Sequence, residues 1–222
     1  MKTMVRLAGI VAAGCATAVL TASPALAAAP SKFIFSTSGV QAEAVFSNAP
    51  ADGNLVAGRV YTDVFVYGAD QAIKADGTSF QEDFAFVDVF SYKIDRRGSF
   101  VNVSSSFGFA GNDQVAFSGD ARGLSSASLT ARVELQTCND RGCTAAGTEQ
   151  VSVSWTGTGA TTTYKGSVRT NDPGQFTSTG RFTGSSRQAT ASGTVPVLGT
   201  GSAFYGAISS GTSTDRTVCH AC

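Results

Sequence analysis

The chain predicts an all-β fold, a single antiparallel β-sandwich or barrel-like domain of about ten or more short strands behind an N-terminal signal helix. Three observations carry this. Beyond residue 30, apolar and polar side chains alternate with period two, the pattern of half-buried strands. Glycines and Ser/Thr clusters punctuate that pattern every 8 to 15 residues or so, the spacing of turns in sandwiches and barrels. No window of a dozen residues past the leader has capped helical periodicity.

Lys2 and Arg6 precede an apolar run from Leu7 to Leu20, and Ser23-Pro24-Ala25-Leu26-Ala27 ends in an A-x-A arrangement. This is the pattern of a secretory signal peptide, residues 1–27, cleaved after about Ala27 and leaving one domain over 28–222. Ala12-Ala13-Gly14-Cys15 resembles a lipobox, but Ala12 stands where a larger aliphatic residue is usual and the apolar run continues past Cys15. No second apolar stretch reaches the ~20 residues of a membrane-spanning helix. The expected location is secreted or extracellular, with no membrane span after signal cleavage.

Strands are expected at Phe33–Phe35, Ala42–Phe46 and Val60–Tyr67. Phe80 to Ile94 is apolar on both faces in its middle, which suits a central strand or two segments joined by a bulge. Asp95-Arg96-Arg97-Gly98 turns the chain toward short strands at 100–103, 107–109 and 114–117. The clearest element is a hairpin, 129–155. Leu129, Ala131, Val133 and Leu135 share one side of its first arm, and Val151, Val153 and Trp155 one side of its second. Weaker strands follow at 164–168, 176–182, 189–197 and 203–208. Twelve of the fifteen Phe precede residue 120, so the first half is expected to supply the bulky core and the second to cover it.

Once Cys15 leaves with the signal, Cys138, Cys143, Cys219 and Cys222 remain, an even number in an exported chain. Local disulfides, Cys138 with Cys143 and Cys219 with Cys222, would each contribute only ~2 kcal/mol by loop closure, against ~4 to 5 for a bond from hairpin to tail. The Asn-Asp-Arg-Gly turn holds the first pair together however the tail folds, which favours the local pairing.

Loss of Lys2 and Arg6 takes the sixteen basic residues to fourteen against sixteen acids, a mildly acidic mature chain. Residues 28–120 carry 6 basic and 11 acidic groups, and 121–222 carry 8 and 5. No run of like charges argues for a polyanion or membrane partner, and nothing suggests nucleic acid.

Chemistry has few candidates. The one histidine, His220, would place a general base on the tail, and Cys219-His220-Ala221-Cys222 has redox spacing without a following helix. Four cysteines in two pairs fit a zinc site, but exported thiols oxidise first. Asp70, Asp76, Gly77, Glu82 and Asp83 form an acidic stretch, yet aligning Gly77 with the glycine of an EF-hand loop puts Lys74 and Ala72 on ligand positions. No metal and no cofactor is expected. Asn102-Val103-Ser104 fits a glycosylation acceptor, a short and frequent pattern.

The sharpest constellation is two alternating faces, Tyr61/Asp63/Phe65/Tyr67 and Glu82/Phe84/Phe86/Asp88/Phe90/Tyr92, each mixing aromatics with acids. If Asp63 opposes Asp88, the side chains start ~5 Å apart and two carboxylates could act on a glycosidic bond. If Tyr67 opposes Phe80, Arg59 falls opposite Asp88 and the acid is half of an ion pair; the shorter connection, 68–79, favours this register. Tyr61, Tyr67 and Tyr92 are candidate ligand-binding residues on these faces.

Trp155-Thr156-Gly157-Thr158-Gly159 and Arg187-Gln188-Ala189-Thr190-Ala191-Ser192-Gly193-Thr194-Val195 resemble wording found in uncharacterised secreted β-rich proteins of actinobacteria, mainly over residues 124–197. The resemblance implies an exported β domain and carries no activity. The expected function is a non-catalytic extracellular or envelope-associated binding or structural module, its partner a cell-envelope component or an extracellular glycan or protein. The alternative is a carbohydrate-active hydrolase using Asp63 and Asp88.

Overall fold

The computed structural model describes residues 31–139 and 142–219, so the signal segment, His220 and Cys222 lie outside the described residues. Eleven strands form one antiparallel sheet: β1 (Ser31–Ser47), β2 (Val60–Ala75), β3 (Thr78–Ile94), β4 (Phe100–Gly111), β5 (Val115–Gly119), β6 (Ser126–Asn139), β7 (Gly142–Gly157), β8 (Thr162–Asp172), β9 (Phe176–Val195), β10 (Gly199–Ser202) and β11 (Tyr205–Cys219). The all-β expectation holds, but most strands are long, reaching 20 residues in β9. Positions read as breaks lie inside strands. Gly39, Gly211 and Gly184 stand side by side on β1, β11 and β9, with Tyr164 of β8 next in the row. A Cβ on Gly184 would come within 2.5 Å of the Tyr164 hydroxyl, so the bare backbone is the bed on which that ring lies.

Pairing runs round a ring. The β1–β2–β3–β4 meander joins β6, β6 pairs β7, β7 pairs β9, β9 pairs β11, and β11 returns to β1. With no free edge around this ring, alternate residues must point inside or out. Inside lie Val40, Ala42, Ala44 and Phe46 of β1, Val64 and Val66 of β2, and Val87 of β3, all buried. The hairpin contributes Leu129, Ala131, Val133, Leu135, Val151, Val153 and Trp155, the inward set its alternation predicts. Trp155 crosses the lumen, and its indole N–H donates to the Glu43 carbonyl at 2.8 Å. Gly68 leaves room for another ring, since a Cβ there would meet the Phe117 side chain at 2.8 Å.

The expectation that Phe fills the core is corrected. Only Phe46 and Phe117 belong to the buried cluster, while Phe33, Phe35, Phe80, Phe90, Phe100 and Phe109 are exposed. A small barrel has a narrow interior that fills with Val, Ala and Leu, and period-two alternation puts most of the phenylalanines on the outward face.

Five of the ring strands run on past it and are joined by β8. β9 pairs β7 only over Ala189–Thr194, and its earlier residues pair β8 instead. β3 meets β4 only from Phe84 onward. The remainder forms a wing in the order β8-β9-β11-β1-β2-β3, free of the ring on two edges.

At the far end of the hairpin, Cys138 faces Cys143 and is bonded to it, with Cα atoms 4.0 Å apart. A bond from this pair to the tail is thereby excluded. Cys219, buried at the end of β11, is also disulfide-bonded, and the proposed partner Cys222 lies outside the described residues. A tetrahedral zinc site on the four cysteines is incompatible with the Cys138–Cys143 bond.

Candidate functional site

The aromatic and acidic residues singled out in the sequence lie on the outward face of β2 and β3, but in neither expected register. Asp63 pairs with Phe90, Phe65 with Asp88, and Tyr67 with Phe86. The stretch 68–79 is no loop: β2 runs to Ala75 and β3 starts at Thr78, joined by Asp76 and Gly77 at φ of 47° and 87°. Both left-handed residues belong to the two-residue hairpin turn that Asp-Gly favours, and this signal would have set the register from sequence. The register is shifted by two residues from Asp63-opposite-Asp88, which makes the two acids diagonal neighbours. It also removes Arg59 from Asp88; the guanidinium lies 5.6 Å from the Tyr61 ring centroid instead.

Each acid has its own surroundings. Asp63 Oδ1 accepts from the Ser47 hydroxyl of β1 at 2.5 Å. Asp88 sits between Phe65 and Phe107 on the neighbouring strands, with Phe86 and Phe90 two residues away on its own. Burial among these rings raises its pKa above the ordinary carboxylate value.

The three candidate tyrosines extend the face. Tyr61 is fully buried under the loop between β1 and β2, its hydroxyl accepting from the Val56 N–H at 2.7 Å. Tyr67 donates to Gln41 Oε1 at 2.5 Å and packs on Phe84, with centroids 5.4 Å apart. Burial, with Glu43 and Tyr164 adding to it, pushes its phenol well up. Tyr92 is raised by burial and then by Asp63, and it contacts Tyr61, Phe90 and Phe100. The raised phenols of Tyr67 and Tyr92 stay protonated, and that of Tyr67 serves as a donor. They are wall, not exposed subsites.

Sequence reading missed the flanks of this face. From β4, Phe109 packs on Phe86 with tilted rings whose centroids are 4.8 Å apart, and Phe107 stands beside Asp88. From β1 and β11, Glu43 accepts from Tyr205 at 2.9 Å, and burial with the carboxylate beside it pushes that phenol up to about 12. The alternation in Phe107-Gly108-Phe109 was the available signal.

The acidic stretch is dispersed. Asp70 and Asp83 face each other on the inward side at the mouth of the barrel, Glu82 points outward, and Asp76 sits in the turn accepting from Ile34 N–H. Gln81 donates to Asp70 at 2.6 Å and Phe117 N–H to Asp83 at 3.2 Å. The mouth holds an open depression of about 460 Å³ bordered by Ser38, Val40, Asp70, Gln81, Ala121 and Ser210. Among the described residues no group of three or more His, Cys, Asp or Glu could hold a metal ion.

Fold and face together define an antiparallel barrel with a filled lumen and an aromatic outer wall. No protein-family model, no curated protein and no solved structure matches this chain.

Proposed function

We propose that the chain is an exported, disulfide-clamped β-domain that binds or builds without catalysing, working outside the cell or at its envelope. The observation that carries this is the position of the acids: Asp63 and Asp88 stand on the outer wall of a barrel whose lumen is packed, each engaged with different neighbours. Substrate positioning and water exclusion come from concave sites, and an outer wall supplies neither.

One observation favours the hydrolase alternative. Diagonal cross-strand positions lie ~7 to 8 Å apart, inside the range for a carboxylate pair in an inverting glycosidase, and the raised Asp88 has the character of its acid. The test is reducing-sugar release from a panel of extracellular polysaccharides by wild type, Asp63→Asn and Asp88→Asn. The non-catalytic reading expects no release from any of the three. Release by the wild type that both variants abolish, while still folded, would move the two acids into an active site.

A further inference from the structure

The inward-parity face of the wing is basic and lined with hydroxyls. Alternation puts Lys165 and Arg169 of β8, Arg181 of β9, Arg216 of β11, Lys32 of β1 and Lys74 of β2 on it, and all six are exposed. The positions between them are chiefly hydroxyls, among them Ser36, Ser38, Ser167, Thr179, Thr183 and Thr214. No acid shares this face between the Asp76 turn and the barrel mouth, where Gln81 already engages Asp70. The neighbouring acids Asp172 and Asp215 have the opposite parity.

The cations form a lattice. Arg169 and Arg216 flank Thr179 in one cross-strand row, and Arg181 lies two residues along β9. Strand spacing and rise then set this triangle of guanidinium-bearing positions at about 8 to 10 Å on a side. Three like charges so close, without an acid on the face, concentrate positive potential over a flat, hydroxyl-lined surface.

We propose that this face binds an acidic polysaccharide, a chain bearing carboxylates along a sugar backbone. Arginine forks match carboxylates bidentately, and the Ser/Thr lattice offers donors and acceptors to sugar hydroxyls. The occupant is chosen by what the face lacks as well. It has no aromatic ring, so nothing stacks the bases of a single-stranded nucleic acid. Its only large exposed apolar side chain is Ile34, too little to insert in a lipid surface. The inference uses residues remote from Asp63 and Asp88 and does not depend on whether those acids act.

The experiment is binding of the folded, signal-free protein to polygalacturonate, with dextran as the neutral polymer, a single-stranded DNA oligomer and phosphatidylglycerol vesicles as the other anions. Two triple variants accompany it. Arg169→Gln/Arg181→Gln/Arg216→Gln removes the triangle, and Lys93→Gln/Arg96→Gln/Arg97→Gln removes as many charges at the β3–β4 turn. The expected result is salt-sensitive binding of polygalacturonate and none of dextran, weakened about tenfold or more by the wing variant and unchanged by the other, with melting curves showing both folded. Failure of the wild type to bind polygalacturonate, equal loss in both variants, or tighter binding of DNA or vesicles overturns the proposal. Cleavage of the bound polymer would count for this site while sinking the non-catalytic reading.

Discussion

Asparagine in place of Asp88 is expected to raise stability at neutral pH, whereas asparagine in place of Asp63 lowers it. Asp88 is ringed by Phe65, Phe107, Phe86 and Phe90, and its pKa is raised by burial. Its folded-state pKa therefore lies above the unfolded value, so ionisation is costlier in the native state. That cost is absent below the unfolded pKa and develops as pH rises through the folded pKa. Removing the charge relieves it; because the side chain is only half-buried, the gain is discounted to ~0.5 to 1 kcal/mol. For a domain of this size that raises Tm by roughly 1 to 4 °C. Asp63 differs because its carboxylate accepts the short bond from Ser47. Asparagine keeps an acceptor but loses the charge, a difference of ~1 kcal/mol between charge-assisted and neutral hydrogen bonds. Thermal melts of wild type and both variants at pH 7 and pH 3 are the assay. The Asp88→Asn advantage should vanish at pH 3, where wild-type Asp88 is protonated. A lower Tm for Asp88→Asn at pH 7 would refute the reasoning and imply a cationic partner for that carboxylate.

Two further outcomes follow from the packing and the turns. Gly68→Ala places a Cβ 2.8 Å from the Phe117 ring and 3.2 Å from Leu129, so urea unfolding should show a loss of ~1 to 3 kcal/mol, partly recovered by adding Phe117→Leu. In the turn before β6, Asp120 accepts from the N–H groups of Arg122, Gly123 and Ser125 and from the Ser125 hydroxyl, which lowers its pKa from 3.8 to about 2. A lowered folded pKa contributes stability above the unfolded value that is lost between about pH 4 and pH 2. Asp120→Asn should flatten that part of the Tm-versus-pH curve, and an unchanged slope would rule out the cage as its source.

The fold class was legible because period-two alternation survives any topology, and the 129–155 hairpin was legible down to its inward residues because both arms alternate cleanly around cysteines. Strand lengths were not. A glycine such as Gly39 or Gly184 reads as punctuation locally and becomes a strand position only when a ring such as Tyr164 needs bare backbone beside it. The Asp63–Asp88 face was found, but its register turned on Asp76-Gly77 as a two-residue turn, which the acidic residues around it disguised as a loop. The basic face escaped because its six cations come from five strands with no two adjacent in sequence. Charge runs are a one-dimensional signal, and a sheet assembles its surface at right angles to the chain.

The ring also dictates an order of events. β1 has two neighbours, and while β2 follows it after the 48–59 loop, the other is β11, with Ser31 opposite Cys219 and Val45 opposite Tyr205. As the chain is made from its N-terminus, one side of β1 must wait for nearly everything else to be synthesised. Until then its backbone donors and acceptors are an open template for whatever strand arrives first. Closure at such sequence separation is slow, since the chain entropy is lost before the contacts reward it. A polypeptide with this connectivity cannot finish its barrel piecemeal behind the ribosome, and is suited to being handed on unfolded and closing all at once.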